Sequence, residues 1–393
     1  MFLIGGRGCA AAYVVGACAV LYILRAPFLL TEPQLLAEDA AVFFRGAWEK
    51  GPASIFEPYA GYIHFLPRAF ALLATPASLK HVPSIYFLAS LGTFLVVAAL
   101  ILSERVALPL KPALALSAVL VPHTGEVFGI ITNIQWILPL GALAILFTRE
   151  PPASRAGRVG EAGYLAVFSV TGPFSIFAAP LFVAKALGSR GDRIHNWPMA
   201  AIVGAGAVLQ LHFTSGRIPP APAAPPPWSF VELAAFRTVL SPLFGARTAH
   251  TLAAWEWLVL AAVAGCIAAG VWRGTYRWQI LGCLFFSCAL LAGVYSHFKV
   301  DLALLGPAVN ADRYFYLPKI LMTWALIASV PRPAIAVAIL AIPLALNPYK
   351  RNYPGPSPWR LTAAQLKAGQ AVTAPINVGD GLVWSVPLAA RPR

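Results

Sequence analysis

The feature that most constrains this chain is a succession of long apolar runs separated by short, basic connections. A helix needs roughly 20 mostly apolar residues, with a range of about 17–25, to cross a bilayer. Runs at 9–30, 82–103, 106–122, 128–147, 161–171, 173–188, 198–214, 252–272, 278–296, 314–330 and 333–347 meet or approach that length. The first resembles a signal peptide, but it is too long and ends in Arg25-Ala-Pro, so it reads as an uncleaved anchor. The 161–188 stretch is interrupted at Thr171-Gly172-Pro173 and reads as two short helices rather than one. The expected fold is an all-α membrane protein, a polytopic bundle of about eleven transmembrane helices.

Composition closes the alternatives. Of the 393 residues 59% are hydrophobic and 11% charged, with mean hydropathy +0.72. A soluble domain is about 25% charged, so no water-facing surface can cover this chain, and disorder is equally excluded. Cys9, Cys18, Cys266, Cys283 and Cys288 all lie in apolar runs and read as small buried hydrophobes. The net charge of +14 fits helix ends facing anionic lipid better than nucleic acid, since no basic stripe is interleaved with aromatics.

Charge asymmetry orients the bundle. With a cytoplasmic N-terminus and a true reversal near Gly172, the inner connections hold Arg7, Arg105, Lys111, Arg149, Arg155, Arg158, Lys185, Arg190, Arg193, Arg273, Arg277 and Arg332. The short outer connections hold only Lys299 and Arg313. That is the positive-inside pattern of a multi-pass inner (cytoplasmic) membrane protein. Residues 1–347 then form a single transmembrane domain with outer loops at 31–81, 215–250 and 297–312. The Pro-rich run 218–228 reads as an extended linker. Residues 348–393 read as a short extracytoplasmic tail, too small for a substantial soluble domain.

Candidate chemistry gathers at the outer edge. Glu38 and Asp39 follow the first run, and Val42, Phe43, Ala47 and Trp48 share a face of a short interfacial helix after them. The acidic pair suits that helix's own N-terminus. It equally suits a general base, or ligands for a divalent cation beside a phosphate. Tyr59, Tyr62, His64 and Phe65 precede Arg68, which is placed either to clamp a phosphate or to snorkel to headgroups. A second cluster joins His123 and Glu126 to Asn133, Gln135 and Trp136. The polar members suit either a site or hydrogen bonds between helices. A third holds His297, Lys299 and Asp301, then Asn310, Asp312, Arg313, Tyr314 and Tyr316. Asp312 and Arg313 can pair with each other, or Arg313 with Tyr314 and Tyr316 can grip a lipid phosphate and stack on a sugar face. No Walker loop, GxSxG, HExxH or convincing GxGxxG occurs.

This pattern resembles the GT-C superfamily of integral-membrane glycosyltransferases. The resemblance is carried by Leu36-Ala-Glu-Asp-Ala40, Gly61-Tyr-Ile-His-Phe-Leu-Pro-Arg68, Thr132-Asn-Ile-Gln-Trp136, Thr171-Gly-Pro-Phe-Ser175 and Asp312-Arg-Tyr-Phe-Tyr316. It implies a polyprenyl-phosphate sugar donor, and a glycan, lipid or protein acceptor in cell-envelope glycan biosynthesis. By the resemblance Asp39 matches the catalytic base, with Glu38 the adjacent candidate. Arg68 and Arg313 match donor-phosphate contacts, with Tyr62, His64, Tyr314, Asn133, Gln135, Trp136 and His297 around them. The resemblance fixes no cofactor and leaves a divalent cation on Glu38 and Asp39 open. Many members carry a folded soluble domain after the helices, where this chain has only its tail.

Two rivals stand beside that reading. A transporter or flippase of a lipid-linked or anionic solute predicts ionisable residues at mid-membrane and paired broken helices. A non-catalytic assembly subunit predicts that Glu38 and Asp39 are dispensable.

Overall fold

The computed structural model describes residues 6–189, 192–214, 227–245, 255–298, 302–305, 311–346, 354–379 and 382–390. Arg190, Lys299, Asp301, Asn310 and the linker residues 218–226, all invoked above, lie outside the described residues.

The fold is mainly helical. It opens with α1 (Gly6–Arg25), the short α2 (Phe28–Thr31), a π-helical turn Asp39–Phe44 running into α3 (Arg45–Lys50), and α4 (Phe65–Ala74). Then come α5 (Val82–Leu102), α6 (Lys111–Leu120), α7 (Leu138–Leu146), α8 (Arg155–Ser169), α9 (Phe174–Gly188) and α10 (Arg193–Thr214). Helices Glu256–Arg273, Arg277–Phe298, Arg313–Ser329 and Pro333–Leu346 follow.

Among the described residues four helices are long and apolar enough to cross a membrane: Leu79–Leu102, Arg193–Thr214, Glu256–Arg273 and Arg277–Phe298. The expectation of about eleven transmembrane helices is therefore corrected. Hydropathy counts apolar residues and ignores what stops a helix. The run 106–122 contains Pro109 and Pro112, and only ten residues of it form α6, launched from Leu110 at φ +47°. The run 128–147 is split between a 3-10 turn Thr132–Trp136 and α7, with Pro139 in the first turn of α7. Every residue of α7 is buried, so this run fills the interior rather than facing lipid. A short apolar segment of that kind is a buried core helix. The 161–188 stretch is two helices, α8 and α9, each about 22 Å long at 1.5 Å per residue. They are separated at Gly172, whose φ is +80°. Cys18 and Cys283 are buried as expected, but Cys9, Cys266 and Cys288 are exposed.

Trp255 and Trp257 are exposed at one end of Glu256–Arg273 and Trp272 at the other. Such rings favour the two interfaces of a bilayer.

The segments expected on one side do meet at one end of the bundle. Phe65 N–H donates to Val170 O, Gly172 N–H to Ile63 O, and the Gln210 side chain bonds both backbone groups of Ile63. The opposite end gathers the expected basic connections. There Arg105 pairs with Glu161, His195 lies 3.4 Å from the same carboxylate, and Val106 bridges to Thr148.

The tail is not an isolated stub, and the all-α expectation misses its strands. Helix Trp359–Lys367 leads into an antiparallel hairpin, β1 (Val372–Gly379) and β2 (Leu382–Leu388). Alternate residues Ala374, Ile376, Val386 and Leu388 turn inward, the period of two that a one-sided strand requires. They share a second core with Phe43, Phe44, Ala47 and Trp48. The expected interfacial helix is thus roofed by the tail, and Trp359 stands edge-on to Phe44 with ring centroids 5.0 Å apart.

Candidate functional site

The structure separates the acidic pair. Asp39 opens the π-helical turn and is 1% exposed. Its Oδ1 accepts from Thr132 N–H (2.9 Å) and the Thr132 hydroxyl (2.5 Å), and its Oδ2 from Ile131 N–H (3.1 Å). The carboxylate therefore caps the free donors at the start of the 3-10 turn Thr132–Trp136, which has no intrahelical partner for them. Capping was an expected use of the pair, but on its own helix; the capped turn lies 93 residues away in sequence. Burial outweighs the three donors and raises the Asp39 carboxyl to about 7.

Glu38 points elsewhere. It is half-buried, and its carboxylate faces the Tyr59 hydroxyl and the Arg313 guanidinium. Burial and the Glu38 charge together push the Tyr59 phenol up to about 12, which keeps it a hydrogen-bond donor at neutral pH. A π-helical turn adds a residue per turn and changes where successive side chains aim; such turns recur at functional sites. Here it helps the adjacent carboxylates point to different neighbours.

Tyr59 leads to His64 and Arg68. The His64 ring lies 5.8 Å from Tyr59 and 5.9 Å from Phe43, centroid to centroid. Its Nε2 lies 3.1 Å from Tyr59 O, and burial lowers its pKa to about 4, so the ring is neutral. Tyr62 bridges back to Tyr59 through the backbone, its ring 6.5 Å from His64. The Arg68 guanidinium is 3% exposed and lies over the Phe43 ring at 5.6 Å. Its nearest carboxylate is Glu57, at 3.9 Å, and its Nε and Nη1 find no hydrogen-bond acceptor. Gly46 makes room for it: a Cβ there would stand 2.8 Å from Nη1.

The third group is a buried ionic network. Asp312 and Arg313 do not pair with each other. Asp312 accepts from Lys319, from Arg237 (3.1 Å) and from Thr124 N–H (2.9 Å). Arg313 turns to Glu126, through its backbone N–H and its guanidinium (3.7 Å), and lies 5.2 Å over the Tyr314 ring. Asn133 is 2% exposed and donates to Glu126 O (2.8 Å), so it ties this segment rather than lining open space. Trp136 is wedged edge-on between Phe174 (4.9 Å) and Tyr314 (5.4 Å). Gln135 donates to Thr132 O (3.3 Å) and lies so close to Gly172 that a Cβ there would collide with it. His297 is exposed, its ring 4.7 Å from Phe298, and no described contact brings it to the carboxylates.

No family model, curated protein or solved structure matches this chain. The site is therefore read from its own geometry.

That geometry does not suit a divalent cation on the acidic pair. Both Asp39 oxygens are taken by N–H and O–H donors, which would face the ion with the wrong end of their dipoles. Among the described residues no three His, Cys, Asp or Glu side chains converge. The arrangement can instead hold a negative group beside Arg313 and accept a proton at Glu38.

Sequence reasoning did not single out Lys319, Arg237 or Arg25. Lys319 carried a readable signal, an ammonium inside an otherwise apolar run. Arg25, at the end of α1, donates to His123 O at 2.8 Å. Arg237 lies in a second π-helical turn, Phe236–Leu240, and nothing in the sequence around it marks it.

Proposed function

We propose that this chain is a membrane glycosyltransferase that moves a sugar from a polyprenyl-phosphate donor to an acceptor hydroxyl, with Glu38 as general base. The observation supporting this is that Glu38 hydrogen-bonds the Tyr59 hydroxyl and acts electrostatically on Arg313, whose guanidinium lies 3.7 Å from Glu126 and over the Tyr314 ring. In the reaction the acceptor O–H proton passes to Glu38 as the acceptor oxygen bonds the anomeric carbon. The bond from that carbon to the phosphate oxygen breaks, and the leaving phosphate keeps the electron pair. Arg313 meets the charge that develops there, and Arg68 is a second donor-phosphate contact of the same loop as Glu38. A single displacement inverts the anomeric centre. Asp39 holds the Thr132–Trp136 turn in place behind Glu38.

The setting is an inner membrane with the site on its outer face. The basic groups Arg105, Lys111, Arg149, Arg155, Arg158 and Lys185 favour a cytoplasmic opposite end. The four long helices cross the bilayer, and the shorter apolar helices complete the membrane domain as buried or half-length segments. The donor's prenyl chain lies against this apolar surface, and its phosphate stays at the interface. The acceptor is a glycan, a lipid or a protein of the cell envelope.

The test uses purified protein in lipid with a panel of radiolabelled polyprenyl-phosphate sugars. Wild type, Glu38→Gln and Asp39→Asn are compared at matched thermal stability. Turnover of one donor, reduced about 10²–10⁴-fold in Glu38→Gln, is the expected result. Turnover that survives Glu38→Gln but not Asp39→Asn returns the base to Asp39. Saturable donor binding without turnover replaces transfer by transport.

A further inference from the structure

The tail reaches back to the residues that immediately precede the acidic pair. Ala37 has φ +44°, a left-handed conformation that a residue with a Cβ adopts only at a cost. Its N–H donates to Asn377 O on β1 (3.0 Å), and its carbonyl accepts from Ala40 and Ala41 to start the π-helical turn. The Asn377 side chain donates to Gln34 Oε1 (2.7 Å) and to Gly355 O (3.2 Å). Gln34 donates to the same Gly355 carbonyl (3.2 Å). Asn377 and Gln34 are 7% and 3% exposed, so these bonds are not replaced by water at little cost. The hairpin register shifts between Asn377 and Gly379, as at a bulge, where strands commonly re-aim a group out of the ladder.

The consequence is local. The turn at Ala37 decides which way the next two side chains leave the chain. With Ala37 held left-handed, Asp39 enters the protein to reach Ile131 and Thr132, and Glu38 faces Tyr59 and Arg313. Released, Ala37 gains by relaxing to an ordinary conformation, and both carboxylates turn with it. The tail's second attachment, Trp48 Nε1 to Ala389 O (2.7 Å), lies nearly three helical turns beyond the pair and has no such leverage.

We propose that Asn377 is a positioning residue for Glu38 and Asp39, acting through Gln34 and the left-handed turn at Ala37. Its effect on catalysis rests on the transferase reading, but its effect on the loop does not. The experiment is amide hydrogen exchange, read by mass spectrometry on the full-length protein in lipid nanodiscs, over peptides covering 37–44 and 129–134. The second peptide contains the Ile131 and Thr132 amides that Asp39 holds.

Asn377→Ala keeps the backbone carbonyl that Ala37 N–H meets but removes the side chain that fixes it against Gln34 and Gly355, and is expected to speed exchange at both peptides about tenfold. Adding Ala37→Gly is expected to bring both rates back towards wild type, because glycine holds the left-handed turn without strain. A general loss of packing would not be rescued this way. Trp48→Phe is expected to leave the 129–134 peptide unchanged. Gln34→Ala breaks the same link from the other side and serves where Asn377→Ala does not fold. With a turned-over donor in hand, Asn377→Ala is expected to lower kcat about tenfold with KM unchanged. Unchanged exchange at 129–134 in both Asn377→Ala and Gln34→Ala overturns the proposal, as does acceleration that Ala37→Gly fails to correct. If no donor is turned over by wild type, the transferase reading fails and the exchange result still decides the role of Asn377.

Discussion

The two ends of the bundle use charge in different ways. At the end opposite the site, several basic side chains donate to backbone carbonyls of neighbouring helix ends and loops. Lys185 reaches Ile145 O (3.3 Å), Thr148 O (3.1 Å) and the Thr148 hydroxyl (3.1 Å), just beyond α7. Lys111 donates to Ser103 O, Arg158 to Pro152 O and Arg105 to Glu150 O. Those of Lys185 and Lys111 close carbonyls at the ends of α7 and α5, which lack internal partners, while those of Arg158 and Arg105 tie loop carbonyls. At the site end charges from distant parts of the chain meet in a larger buried network: Asp312 with Arg237 and Lys319, and Arg313 with Glu126. Apart from the Glu161 cluster with Arg105 and His195, the opposite end rests on single backbone contacts and tolerates the loss of one. An end built from mutually compensating buried charges does not, and it holds a surface where a further charged group can be accommodated.

The largest expected effect follows from that difference. Asp312 is 3% exposed and compensates two buried cations, Lys319 (2%) and Arg237 (6%). Removing one partner of a buried pair leaves an uncompensated charge and costs about 3–5 kcal/mol. Asp312→Ala should therefore lower the melting temperature of the protein in nanodiscs more than any single truncation at the opposite end. Replacing Asp312 and Lys319 together by apolar residues should recover part of the loss. A melt unchanged by Asp312→Ala would erase the distinction between the ends.

The next effect sets two carboxylates at the site end against each other. Burial pushes Asp312 up, but Lys319, His123 and Arg237 outweigh it and hold the carboxyl below the usual carboxylate range. Asp39 has only neutral donors and rises to about 7 from an ordinary 3.8. The signs are opposite. Between about pH 4 and pH 7 the folded chain keeps a proton on Asp39 that the unfolded chain has released. The stability this contributes is fully present below the unfolded value and is lost as pH rises through about 7. Asp312 contributes stability above the ordinary carboxylate value and loses it as pH falls through its depressed one. His64, held neutral by burial with a value of about 4, works against this up to its ordinary value of 6.5, so the melting temperature should fall mainly as pH rises from about 6.5 to 8, and the fall should flatten in Asp39→Asn. A slope unaltered by that substitution would assign the pH dependence to other groups.

The same contrast explains what the sequence could be read for. The 38–68 segment, Asp312 and Arg313, and the start of the 128–147 run do come together, because alternation of apolar runs and basic connections is a one-dimensional signal. The pair Glu38-Asp39 was legible as important and illegible in its division of labour. That division depends on Ala37 being left-handed and on the tail that holds it, 340 residues later in the bond to Asn377. The number of crossings was overread, because a run such as 128–147 is apolar whether it faces lipid or is buried inside as a 3-10 turn and a nine-residue helix. Arg237 was invisible, since only its position in space gives it Asp312 as a partner.

The smallest effect tests the capping end directly. Lys185 lies on α9 and closes the carbonyls at the end of α7, one bond to each of Ile145 O and Thr148 O. Lys185→Met keeps the length and packing of the aliphatic stem and removes the donors. Two carbonyls then lose a charge-assisted bond, but the end of α7 lies near part-exposed residues where water can replace one of them. The expected cost is about 1–2 kcal/mol, less than half that of Asp312→Ala. Donor binding at the far end, measured by titration of a polyprenyl-phosphate sugar into nanodiscs, should not change. A donor affinity that falls with Lys185→Met would mean that the two ends are coupled through α7, whose first turn follows directly on the Thr132–Trp136 segment that Asp39 caps.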